Sequence, residues 1–158
     1  MPERVIVIGI GNDMRGDDGV GIHVVRQLTP YALQDVQVIE ASGEGTALMD
    51  AWSDTETAIL VDAVLSGAEP GTVYRLDLQG KPVPSSLRAY STHAFGVAQA
   101  VELARTLDSL PPRLILYGIE GTAFDFGASL SPTVARAAQK VVRQILVEIG
   151  QQEPANHG

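Results

Sequence analysis

Val5-Ile6-Val7-Ile8 is an unbroken run of β-branched residues that ends in Gly9-Ile10-Gly11. A run apolar at every position, rather than at alternate ones, suits a strand covered on both faces. The chain therefore needs a sheet with layers above and below it. From Val20 the apolar residues fall at Val20, Val24, Val25 and Leu28, a helical spacing that stops before Pro30. Strand, loop and helix then recur. Val36 to Glu40 is followed by Gly45 to Trp52, and Thr57 to Asp62 contains a second doubly covered run, Ala58-Ile59-Leu60-Val61. This alternation predicts an α/β fold: a mostly parallel, twisted sheet of about five strands with helices on both faces.

Gly71 to Leu78 alternates Val73, Arg75 and Asp77 with Tyr74, Leu76 and Leu78, the period of a half-exposed strand, and is placed at a sheet edge. Lys81 to Ser91, with two prolines and three serines, reads as a surface loop bordering the site. Thr92 is positioned to cap a helix carrying Val97, Val101 and Ala104, and Arg113 to Ile119 supplies a further buried strand. Ser131 followed by Pro132 marks a helix start, because proline at the first helical position loses no hydrogen bond. Val134, Ala138, Val141, Ile145 and Ile149 form the apolar face of that helix. Residues 1–150 are expected to make one domain, and 151–158, without apolar periodicity, a flexible C-terminal tail.

With 158 residues, 45% of them hydrophobic, the chain can bury one sizeable core. Its 19 acidic and 11 basic residues give a net charge of -8, which opposes nucleic acid and anionic membranes as partners. There is no cysteine, so disulfides and thiolate metal sites are excluded. The apolar run at Val5 to Ile10 is too short for a signal-peptide core or a membrane span. A cytoplasmic monomer is the expectation.

Ligand sites in open α/β sheets collect beyond the carboxyl ends of the strands. Asp18 follows the loop after the first strand, Asp62 ends the third, and His93 opens the helix after the serine-rich loop, so all three are expected on that edge. A helix N-terminus disfavours added positive charge and keeps an imidazole neutral, as ligation requires. Two carboxylates and one imidazole suit zinc, nickel or manganese better than copper(I). The plainer alternatives are that Asp18 or Asp17 caps the first helix, that Asp62 forms a turn with nearby amides, and that His93 is structural.

The loop from Gly9 to Gly16 fails the dinucleotide pattern, since Met14 stands where a third glycine belongs, and no lysine with serine or threonine follows. Asp17 and Asp18 would repel phosphate from the helix start. No serine sits in a nucleophile elbow; Ser42 comes nearest and lacks the first glycine. His23 reads as a solvated or partly packed helix residue and His157 as part of the tail. Glu40, Glu44 and Glu120 follow strands on the active edge and are secondary candidates.

Gly9-Ile10-Gly11-Asn12, Arg15-Gly16-Asp17-Asp18-Gly19-Val20-Gly21, Val61-Asp62-Ala63, Ser91-Thr92-His93-Ala94-Phe95-Gly96 and Leu130-Ser131-Pro132-Thr133-Val134 occur in this order. In these motifs the chain resembles the hydrogenase maturation proteases, from residue 5 to about 149. The resemblance implies a single-domain α/β endopeptidase that removes a C-terminal peptide from the large-subunit precursor of a nickel-iron hydrogenase after nickel insertion. It also implies that Asp18, Asp62 and His93 are the metal-contacting and catalytic residues, and that the nickel comes with the precursor rather than as a resident cofactor. Glu40-Ala41-Ser42-Gly43-Glu44-Gly45-Thr46 departs from the Asp-Gly-Gly sequence common in that family. Asp17 and Asp18 are both open as general base. The competing expectations are a non-catalytic module that senses a metallated partner, told apart by a precursor cleavage assay, and a nucleotide- or phosphate-binding protein, told apart by nucleotide-dependent melting.

Overall fold

The computed structural model describes residues 4–31, 35–78 and 94–150. Five strands, β1 (Val5–Ile10), β2 (Val36–Ala41), β3 (Thr57–Val64), β4 (Val73–Asp77) and β5 (Arg113–Glu120), form one sheet in the order β2-β1-β3-β5-β4. All neighbours are parallel except β4, which runs antiparallel to β5 at the edge. The helices are α1 (Val20–Leu28), α2 (Gly45–Trp52), α3 (Ala94–Thr106) and α4 (Pro132–Glu148), with short 3-10 turns at Gly16–Gly19 and Thr29–Tyr31. None of the described helices is long and apolar enough to cross a membrane.

Every residue of β1 and β3 is buried, which accounts for their unbroken apolar runs. Alternate side chains feed two separate cores. Ile6, Ile8, Ala58, Leu60, Leu114 and Leu116 pack with Leu48 and Trp52 of α2 and Val97 and Val101 of α3. Val7, Ile59, Val61, Ile115 and Ile119 pack with Val24 and Leu28 of α1 and Val134, Ala138, Val141 and Ile145 of α4. The expected single α/β domain with helices on both faces is what forms.

On β4, Tyr74 and Leu76 turn to the α2–α3 core while Arg75 turns the other way and donates from Nε to Glu148 of α4 at 3.0 Å. The Tyr117 hydroxyl donates to the same carboxylate. Burial first, and this bond second, push that phenol well above the usual tyrosine range. Helix α4 starts at the expected Ser131-Pro132 pair, with proline in the first turn. The Thr92 cap, the loop from Lys81 to Ser91 and the tail 151–158 lie outside the described residues.

Candidate active site

The strand order reverses between β2-β1 and β3, and such a reversal opens a crevice at the carboxyl ends of the strands. Pairing of β3 with β1 stops at Gly9–Val61, whereas pairing with β5 continues to Val64–Glu120. Asp62 is therefore not the end of its strand. It is the first residue past the β1 ladder and is held in place from the β5 side. Only 2% of its surface is exposed, and the Ala63 amide donates to its Oδ1 at 2.8 Å. By alternation it shares a face with Leu60 and Val64, the side covered by α2 and α3.

Asp18 reaches the crevice from the other side. The loop leaving β1 is anchored by Gly11 N to Ala41 O at 3.0 Å and folds back through Asn12 N to Asp18 O at 3.3 Å. The 3-10 turn holding Asp18 packs on β3. Helix α1 follows so closely that a Cβ on Gly21 would lie 2.3 Å from Val61 O, so only glycine lets the helix start beside Asp62. Asp18 is fully buried, and its Oδ2 lies 3.7 Å from Arg15 Nη1. It does not cap α1: the residue at that position is Gly19, and no side chain caps there. Instead Asp18 lines a pocket of about 430 Å³ with Gly11, Asn12, Asp13, Arg15, Ile22, Glu40, Ala41 and Ser42.

His93 lies outside the described residues. The helix it precedes does not: a Cβ on Gly96 would sit 2.0 Å from Gly43 O, so α3 begins against the turn that follows β2. That turn is at the carboxyl edge. The two expected carboxylates thus stand on one edge with the start of α3. Among the described residues no three His, Asp or Glu side chains are grouped closely enough to hold a metal ion.

Comparison with known proteins gives this arrangement a family. Residues 22–148 match the profile of the hydrogenase maturation protease family, HycI. The chain belongs to the hydrogenase maturation proteases. It is 29% identical over 151 residues to the hydrogenase expression/formation protein HupD of Rhodobacter capsulatus, an alignment spanning 94% of this chain and 72% of HupD. The solved hydrogenase maturating endopeptidase HybD of E. coli superposes with a TM-score of 0.81 at 26% identity, over 92% of this chain and 91% of that one. HybD of Thermococcus kodakarensis, a [NiFe] hydrogenase maturation protease, gives 0.77 at 27% identity over 94% and 99%. The protein is accordingly a peptide-bond hydrolase.

The protease contains a third buried aspartate, Asp17, held differently from its neighbour Asp18. Asp17 Oδ2 accepts from the amides of Thr122 and Ala123 at 2.8 and 2.9 Å, and Oδ1 accepts from the Ser131 amide at 2.8 Å. The Ser131 hydroxyl reaches both oxygens, at 3.1 and 3.0 Å, instead of capping α4. A carboxylate accepting four donors is committed to holding the segment after β5. No local signal marks this role, because the donors lie more than 100 residues away in the chain.

The secondary carboxylates also have structural partners. Glu120, 1% exposed, accepts from Ser66 N at 2.8 Å, Ser66 Oγ at 2.5 Å and Gly67 N at 3.2 Å, and so fastens the turn after β3. Glu44 caps α2 by accepting from Thr46 N and Ala47 N, and the hydrogen bond from the Thr46 hydroxyl leads the contacts that hold its carboxyl below the usual range. Glu40 remains at the pocket, where Arg26 of α1 bridges it, at 2.8 Å, to Asp13, at 3.1 Å. His23 is partly buried on α1; burial first, then Arg26, lowers its pKa.

Proposed function

We propose that this protease hydrolyses one peptide bond near the C-terminus of the large-subunit precursor of a nickel-iron hydrogenase, after nickel has been inserted. It acts in the cytoplasm as a monomer, and Asp18, Asp62 and His93 contact the nickel that the precursor brings. The observation that supports this reading is the pair of buried carboxylates, Asp18 and Asp62, at the carboxyl edge by the strand-order reversal, with Asp18 lining an open pocket. Carboxylates in a low-dielectric wall favour an arriving cation. The substrate's nickel therefore serves as the recognition element and orients the adjacent peptide; as a Lewis acid it polarises the carbonyl.

Water adds to the carbonyl carbon, the C–N bond breaks, and the departing amine takes up a proton. Asp17 is already committed to four donors, so the base that accepts the water proton is Asp18 or Asp62, whichever is not engaged with nickel at that moment. The test is incubation with a C-terminally extended large subunit, with and without inserted nickel, read as a mass shift. Loss of the extension from the nickel-loaded form alone is expected. Equal cutting of both forms would remove nickel as the gate, and no cutting of a cognate loaded precursor would sink the proposal.

A further inference from the structure

Among the described residues, the exposed large apolar side chains are Met14, Leu65, Leu103, Leu107, Phe126 and Val147. Scattered singly, such residues need no explanation. Leu103 and Leu107 are neighbours along one helix end, with Leu107 N donating to Leu103 O at 2.9 Å, whereas two others are brought together from distant parts of the chain. Met14 and Phe126, 55% and 74% exposed, stand on neighbouring loops joined by Gly127 N to Met14 O at 2.7 Å. Those loops are rigidly joined beneath the surface. Asp17, three residues from Met14, gathers the Thr122, Ala123 and Ser131 donors, and its own amide donates to Ala123 O at 2.7 Å. The apolar pair is therefore presented on a preformed platform, which lowers the ordering cost of any contact it makes.

Its position indicates what covers it. Asp13 and Arg15, on either side of Met14, line the pocket that holds Asp18, so a polypeptide entering that pocket lies beside the pair. We infer that Met14 and Phe126 form a docking surface for an apolar patch on the folded body of the precursor, next to the segment to be cut. This rests on the proposed function and deepens it, since it adds recognition of the protein body to recognition of its metal. A flexible thioether and an aromatic ring are suited to such contact.

The experiment is a binding titration of nickel-loaded precursor against wild-type protease and the variants Met14→Ser, Phe126→Ser and both together, with cleavage followed in parallel. The single variants are expected to raise Kd at least ~10-fold, as truncated apolar anchors do, with unchanged kcat. Leu103→Ser on α3 and Leu107→Ser in the turn just after it, both exposed, are controls expected to leave Kd unchanged. An unchanged Kd in the double variant, or an equal rise in these controls, overturns the docking surface. Self-association of the wild type that the double variant abolishes would assign the pair to a second copy and likewise overturn it. Wild type that binds in this way without cutting would sink the proposed function and leave the docking surface standing.

Discussion

Asp35, Asp54 and Asp108 precede β2, β3 and β5 at the amino edge of the sheet; each is exposed and has a positive φ, at 58°, 62° and 55°. At the opposite edge Asp17, Asp18, Asp62 and Glu120 are buried, none more than 2% exposed. The same chemistry is used in two ways. At the amino edge a short carboxylate lets the backbone turn left-handed ahead of a strand, a local task that aspartate tolerates better than most residues. At the carboxyl edge, Asp17 and Glu120 collect amides from distant segments, while Asp18 lines the pocket and Asp62 is buried at the end of the β1 ladder. The structural task of an acidic residue in this fold thus differs with the edge it occupies and the donors that reach it.

The widest separation between the edges is expected from Asp62→Ala, which should lower precursor processing by about 10²–10⁴-fold, the range for loss of a positioned acid–base or metal-contacting group. Its melting temperature should stay close to wild type; processing at the wild-type rate would remove Asp62 from the site. Asp17→Ala leaves buried donors unsatisfied and should cost about 2–4 kcal/mol in denaturant unfolding. A loss below 1 kcal/mol in that measurement would show that water replaces the carboxylate and that the platform is held by other contacts. Asp54→Val, a β-branched residue forced to positive φ, should cost about 1–2 kcal/mol with processing of the folded fraction unchanged. Lost activity there would break the division between the edges.

The smallest effect belongs to His23. Its folded pKa is lowered from its ordinary value near 6.5, so the unfolded chain takes up the proton first and stability falls as pH drops below that value. Comparison of wild type with His23→Gln across pH 7.5 to 5 should show a flatter stability profile in the variant. A parallel profile would mean that the imidazole is solvated in the folded state.

The layers of this fold were legible because their causes are local. The β-branched runs of β1 and β3, the alternation of β4 and the Ser131-Pro132 helix start each lie within a few residues of sequence. Asp18 and Asp62 were legible for a related reason: topology alone sends both to the carboxyl edge. Whether Asp17 or Asp18 faced the pocket was not readable, because the answer depends on Thr122, Ala123 and Ser131. The continuation of β3 past Asp62 was likewise set by a partner, since the length of β5 decides it. Ser131 illustrates the limit well: its position at the helix start was clear, while the destination of its hydroxyl was decided by a carboxylate 114 residues earlier.

The span of the Asp17 contacts also orders the assembly of the molecule. A ring closed between residue 17 and residues 122–131 carries a larger entropic cost than the nearer strand pairings, and it has little to close upon until β5 is in place. The segments that carry β1, β2 and β3 precede every donor to the Asp17 carboxylate in the chain. A chain that stops before Ser131 therefore lacks donors on which the Asp17 carboxylate depends, and the loops carrying Met14 and Phe126 lose part of what joins them.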